Sequence, residues 1–260
     1  MTDAGEREAA GRRRRRWPWL VAAASVLVLL IVAVVVAERV ARTAVEEEVR
    51  SRVIESLDLP ADQRLEVDVP GIVLPQLAAG TLDEITVSSD DITWGGLSGA
   101  VRVTAQDVAI RGEQGARDAR ARIVLDEAEL QALVERIDDF PEGEVTLDPP
   151  SLALSTQLRL FALAIPVGID LTPSAESGEL VLDPGTVTVS GADIDLTELR
   201  DRFGDVANGL TGPWRICIAD RLPSGVALTK VEVTASGLVV DLDIDPAIID
   251  DASLQAPGTC

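Results

Sequence analysis

Between a charged leader and a long alternating region, the chain carries 18 consecutive uncharged residues. They run from Leu20 to Ala37 (LVAAASVLVLLIVAVVVA), with Ser25 as the only hydroxyl. A helix of that length rises roughly 27 Å, close to the thickness of about 30 Å of a bilayer's hydrocarbon core. Trp17 and Trp19 stand at its N-terminal edge, where amphipathic rings favour the headgroup region. The pattern predicts a transmembrane helix over 20–37. Val40, Ala44, Val45, Val49, Val53 and Leu57 then recur at helical spacing, and Arg39, Arg42, Glu46, Glu47, Arg50 and Arg52 fill the other faces. A second helical stretch is therefore expected from Glu38 to Leu57, ended by Pro60. It either continues the first as one rod or bends near Glu38.

From Arg64 the period changes to two. Leu65, Val67 and Val69 alternate with Glu66 and Asp68, as in a short half-buried strand. Ile72 to Ala79 (IVLPQLAA) reads as one or two helical turns closed by Gly80. Strands follow at 82–92, 100–110 and 119–125, the first two separated by a loop at Gly95, Gly96 and Gly99. Asp126 to Ile137 is the best internal helix, with Asp126 as N-cap and Glu129 at capping-box spacing. Strand pattern returns over 144–172. It continues at 179–182 and 186–190, split by a turn at Asp183-Pro184-Gly185. A further helix is expected at Leu196–Leu210 and a terminal hairpin at 225–244 around Ser236-Gly237. Strand pairs joined by short turns, with helices set among them, predict an α+β class and an antiparallel sheet.

Charge gives this layout an address. Residues 1–19 hold six Arg against three acids, a net of +3, while the rest of the chain carries a net of −24. Five consecutive arginines before an apolar run place the N-terminus in the cytoplasm and the acidic remainder outside. The competing reading is a cleaved signal peptide. Against it, the run is long for such a segment, and Val35-Val36-Ala37 lacks the small-x-small pattern of a cleavage site. The expected division is a cytoplasmic tail over 1–19, a single-pass span in the cytoplasmic membrane over 20–37, an extracytoplasmic domain over 38–250 and a C-terminal tail over 251–260. In an oxidising compartment Cys217 and Cys260 can pair and tie the tail to the domain. The alternative is a buried thiol and an incidental terminal one.

Chemistry is sparse. The chain has no His and no Tyr, so it offers no Ser-His-Asp machinery and no imidazole ligand. Its negative charge argues against nucleic acid as a partner. Asp241, Asp243 and Asp245 share one strand face, but alternation is also the mark of a solvated face, and no metal or other cofactor is assigned. Asp90-Asp91 and Asp138-Asp139 lack a surrounding aromatic platform, and no catalytic residue is assigned.

What the outer region has in excess is aliphatic surface. Leu158 to Val167 (LRLFALAIPV) is apolar at both strand parities, with Arg159 its one charge, so a strand here needs covering on both faces. Ile72 to Leu77 is apolar on most sides. Ordinary core is one covering, and a bound acyl chain in a groove is another.

Two segments carry a family likeness. Residues 70–87 (PGIVLPQLAAGTLDEITV) resemble the turn, short helix and first long strand of the LmeA-like family of actinobacterial cell-envelope proteins. Residues 217–242 (CIADRLPSGVALTKVEVTASGLVVDL) resemble its C-terminal hairpin with the Leu-Pro-x-Gly-Val approach. The likeness extends over about 38–245. It implies phospholipid binding outside the cytoplasmic membrane, a part in envelope lipid or lipoglycan maturation, and a curved antiparallel sheet wrapped partly around a long helix. It brings no catalytic residues. The candidates for an acyl-chain lining are Ile72, Val73, Leu74, Leu77, Leu158, Leu160, Phe161, Leu163 and Ile165, with Arg159, Arg200 or Arg202 to meet an anionic headgroup. The alternative function is a structural or scaffolding envelope protein that binds no lipid.

Overall fold

A computed structural model of the chain describes residues 17–56, 59–94, 97–111, 115–136, 143–160, 163–194 and 212–260. The expected helix at Leu196–Leu210 lies outside these residues. The apolar run and the stretch after it form one uninterrupted helix, α1 (Trp17–Ser56). Of the two arrangements the sequence allowed, the rod is the one observed. The helix packs Ala41, Val45 and Val49, all half-buried, against the domain, while Val40 remains 64% exposed. Apolar residues occur at both 40/44 and 41/45, so spacing alone left the phase of the stripe open.

Two sheets follow. The first has strand order β1-β2-β3-β4-β12-β11, all pairs antiparallel. Its strands are β1 (Glu66–Asp68), β2 (Thr81–Trp94), β3 (Leu97–Ala109), β4 (Asp118–Leu125), β11 (Val226–Thr234) and β12 (Gly237–Ile244). The second has order β10-β8-β7-β6-β5, with β9 also on β8. It is built from β5 (Glu144–Asp148), β6 (Ser151–Leu160), β7 (Leu163–Glu176), β8 (Glu179–Val189), β9 (Ala192–Ile194) and β10 (Trp214–Cys217). Two short helices complete the described fold, α2 (Val73–Ala79) before β2 and α3 (Glu127–Val134) after β4. The α+β class with a long leading helix is as the pattern predicted.

α3 starts where its capping signature said it would. The Asp126 carboxylate accepts from the Glu129 amide at 2.9 Å, and the Asp126 amide donates to the Glu129 carboxylate at 2.9 Å. Such a cap is worth about 1 kcal/mol. Gly80 ends α2 in the left-handed conformation, with φ +85°, which a residue without Cβ adopts at no steric cost.

Two segments fold otherwise than the pattern predicted. Asp183-Pro184-Gly185 is not a reversal. β8 runs through it, Pro184 pairs with Leu171, and the ladder slips by one residue between Ile169 and Leu171. Proline and glycine mark a bulge there, on a stretch of β8 that neither β9 nor β10 reaches. Leu158–Val167, read as one strand with two apolar faces, is a hairpin. Leu158 pairs with Ile165 and Leu160 with Leu163 across the reversal. Positions 158, 160, 163 and 165 therefore continue one ladder face, and the apparent double parity is one face met twice.

The core is in two parts. The larger lies between the sheets and includes Leu152, Leu154, Ile169, Leu171, Leu182 and Val187 of the second sheet, with Leu228, Val231, Val233, Leu238 and Leu242 of the first. Leu130 and Val134 of α3 close one side of it. The smaller holds Val69, Val73, Leu82 and Ile85 under α1. Cys217, at the end of β10, is bonded to Cys260 across a sequence separation of 43 residues. The tail is stitched down further by the Gly258 amide donating to the Leu222 carbonyl at 2.9 Å. A cross-link closing a loop of that size contributes about 3 to 4 kcal/mol on the chain-entropy account.

Candidate functional site

Register puts the apolar positions of the first sheet in rows across the strands. One row reads Val67-Val87-Val103-Ala121-Leu242-Leu228, from β1 to β11. The next reads Ser89-Val101-Ile123-Val240-Val231. A third contains Ile85, Ala105, Ala119 and Ile244. At the β1 edge Val67 and Ile85 are buried, and α1 packs there. At the β11 edge Val231 and Leu228 are buried under the second sheet. Between these edges Val87, Val101, Val103, Ala105, Ala119, Ile123 and Val240 are all half-buried. Among the described residues, Val101, Ala105 and Ala119 pack into neither cluster. With strands about 4.8 Å apart, the half-covered strip is roughly 10 to 15 Å wide. Alanines at 105 and 119 keep its floor low.

The opposite face of the same strands is polar. Thr86 and Thr104 share a hydrogen bond of 3.2 Å between hydroxyls. Arg122 donates to both oxygens of Asp241, at 2.6 and 3.1 Å. That fork holds the Asp241 carboxyl below the usual aspartate range. Arg120 bridges Asp118 at 2.8 Å and Asp243 at 3.5 Å. The alternating carboxylates thus meet guanidinium groups from β4. A cleft of about 500 Å³ opens on this face, but charged side chains line it, which suits water better than hydrocarbon.

At the foot of the domain α2 is fastened to α1. Ile72, at the N-cap position, supplies no side-chain cap. Glu38 supplies it instead, from 35 and 36 residues away: the Val73 amide donates to Oε1 at 2.6 Å and the Leu74 amide to Oε2 at 3.0 Å. These two amides, and the Arg42 guanidinium beside them, hold the Glu38 carboxyl below its usual value. Arg42 also donates to the Gly71 carbonyl at 2.6 Å and to the Val69 carbonyl. Gly71 turns at φ +81°, where a Cβ would press on the Gln76 amide at 3.1 Å. Gln76 is itself buried and satisfied, donating to the Pro70 carbonyl and accepting from the Asp83 amide, both at 3.0 Å. A cleft of about 480 Å³ opens beside this joint, lined by Val34, Val35, Glu38, Arg39, Arg42 and Ile72.

The lining residues expected from the sequence fall in two places. Val73 is fully buried in the smaller core, and Leu77 packs against it half-buried. Leu74 is half-buried and Ile72 is 63% exposed. α2 meets β2 and α1, whereas Ile165 belongs to the β6–β7 hairpin of the second sheet. Leu158, Leu160 and Leu163 have the ladder positions given above, but their side chains, with Phe161, Arg200 and Arg202, lie outside the description. The strip over β2, β3, β4 and β12 was not singled out from the sequence. Its signal was there in Val101, Val103 and Ala105, but alternation cannot say which half-buried strands lack a cover. The pattern makes Arg42 a face-filling charge and Glu38 only the start of the second helical stretch, since a cap supplied from 35 residues away leaves no local pattern.

A family model described as LmeA-like phospholipid-binding matches residues 36–243, from the last turn of the apolar run to the penultimate residue of β12. No curated protein and no solved structure matches the chain.

Proposed function

The chain belongs to the LmeA-like phospholipid-binding family, and from that membership we propose that it is a membrane-anchored extracytoplasmic protein whose half-covered strip receives the acyl part of a phospholipid. Residues 20–37 are the span, the five-arginine tail is cytoplasmic, and 38–250 form the lipid-binding domain outside the cytoplasmic membrane. The role that follows is in envelope lipid or lipoglycan maturation, by binding rather than by catalysis.

The observation that carries this reading is the run of half-buried aliphatic side chains between two closed cores, centred on Val101 and Ala105. An acyl chain laid on it gains about 0.8 kcal/mol for each CH₂ removed from water. The predicted α2 lining takes a supporting place, with Leu74 and Leu77 beside the β1 edge, and Ile165 lies on the β6–β7 ladder of the second sheet.

The test is uptake of a fluorescent phospholipid by the full chain in detergent, with mass spectrometry of co-purifying lipid. Val101→Asp is expected to abolish uptake while leaving the melting transition in place. Uptake by that variant at the parent's level would remove the strip from the reading. A parent protein that neither carries nor takes up lipid would favour a scaffold.

A further inference from the structure

Single exposed aliphatic residues are normal on a protein surface and need no explanation. Here their distribution is uneven. Among the described residues outside α1, the large apolar side chains left exposed are Ile72, at 63%, and Ile249, at 61%. They are 177 residues apart in sequence and belong to different segments. Strand direction nonetheless brings them to one end of the first sheet. Ile72 follows the end of β1 and Ile249 follows the end of β12. β1 is antiparallel to β2, β2 to β3, β3 to β4 and β4 to β12, so β1 and β12 run the same way and finish on the same rim.

The same rim has a fixed height on α1. Ile72 lines a cleft with Val34 and Val35, which belong to the apolar run and stand roughly 3 to 5 Å inside its outer boundary at Ala37. The Glu38 bonds to α2 and the Arg42 bond to the Gly71 carbonyl hold it there.

We propose that this rim, marked by Ile72 and Ile249, is seated in the outer leaflet of the membrane that α1 crosses. The partner is the phospholipid surface itself. The row Ile85-Ala105-Ala119-Ile244 is the one nearest the rim. A lipid therefore passes from the leaflet to the strip along apolar side chains, without crossing water. The proposal rests on the reading of α1 as a span and of the strip as the lipid site, and it adds where the lipid enters.

The experiment uses the full chain reconstituted in phosphatidylcholine vesicles whose acyl chains are brominated near the headgroup. Tryptophan is introduced by Ile72→Trp, Ile249→Trp or Ala235→Trp, and each signal is read as the increment over the parent's four Trp. Ala235 is exposed in the β11–β12 turn, at the opposite end of β12, about 25 Å away along the strand. Blue-shifted, quenched emission is expected at 72 and 249 and not at 235. Equal quenching at all three positions, or none at 249, overturns the proposal.

A second measurement separates this proposal from the binding reading. The variant Ile249→Asp is expected to take up phospholipid from vesicles several-fold more slowly than the parent, and short-chain phospholipid in free solution at the parent's rate. Unchanged uptake from vesicles counts against the rim alone. Loss of uptake from both sources counts against the rim as an entrance. A parent that takes up neither defeats the lipid-site reading, while the quenching still decides whether the rim touches the bilayer.

Discussion

The two cores of this domain are held by different means. Between the sheets, stability comes from bulk: Leu154 and Leu171 are almost completely buried, and the disulfide restrains β10 at the edge of their sheet. Under α1 the cluster is smaller, with Val69, Val73, Leu82 and Ile85 as its buried aliphatics among the described residues, and direction does the rest. Glu38 reaches two amides of α2, Arg42 two carbonyls of the turn before it, and Arg50 the Leu65 carbonyl at 3.0 Å. Burial is non-directional and favours any compact packing, whereas charge-assisted hydrogen bonds specify one geometry. The upper core keeps the domain folded, and the lower joint keeps it in one attitude on its helix.

That contrast can be broken most forcefully from the upper core. Leu154→Ala is expected to lower unfolding free energy by about 3 to 5 kcal/mol, the range for a fully enclosed leucine. Urea titration reads it, and a loss below 1 kcal/mol would mean that the inter-sheet region is not the main store of stability. Cys260→Ser should cost somewhat less, about 3 kcal/mol, with the first loss of amide protection at β10 and the tail. Protection lost first at α2 would reverse the assignment of the two regions.

Glu38→Ala tests the joint. Hydrogen exchange should show the Val73 and Leu74 amides opening while β6 and β7 keep their protection. Uniform loss would show that the joint also carries the fold. The smallest effect is with pH. The folded Glu38 carboxyl titrates below its ordinary range, so its contribution is complete at neutral pH and disappears as the pH falls through that lowered value. Protection factors at Val73 and Leu74 should persist while ordinary glutamates protonate, and fall only beyond them. A fall within the ordinary range would place the carboxyl away from those amides.

Legibility in the sequence divides along similar lines. Elements set by near neighbours were plain: the α3 capping box three residues across, the alternation of Leu65, Val67 and Val69 in β1, and Gly80 after α2. Where two readings fit the same local pattern, the sequence misled. Phe161-Ala162, the two residues between β6 and β7, include none of the Gly, Asn or Pro that usually mark a turn. Asp183-Pro184-Gly185 carries all the marks of one and is a bulge. The candidate site was legible as a surplus of aliphatic residues but not as a place. Whether Val101 is covered depends on how far α1 and the second sheet each reach over β3, and neither distance is written in β3 itself.

On the proposed reading, the unbroken course of α1 from Trp17 to Ser56 limits what such a protein can carry and where. The apolar run and the stretch that packs on the domain are one rod, so a lipid held on the strip would keep a constant altitude above the leaflet. A moored receptacle of that kind would not ferry lipid across an envelope. It would serve as a quay, at which cargo comes aboard from below and leaves only with a caller that arrives alongside.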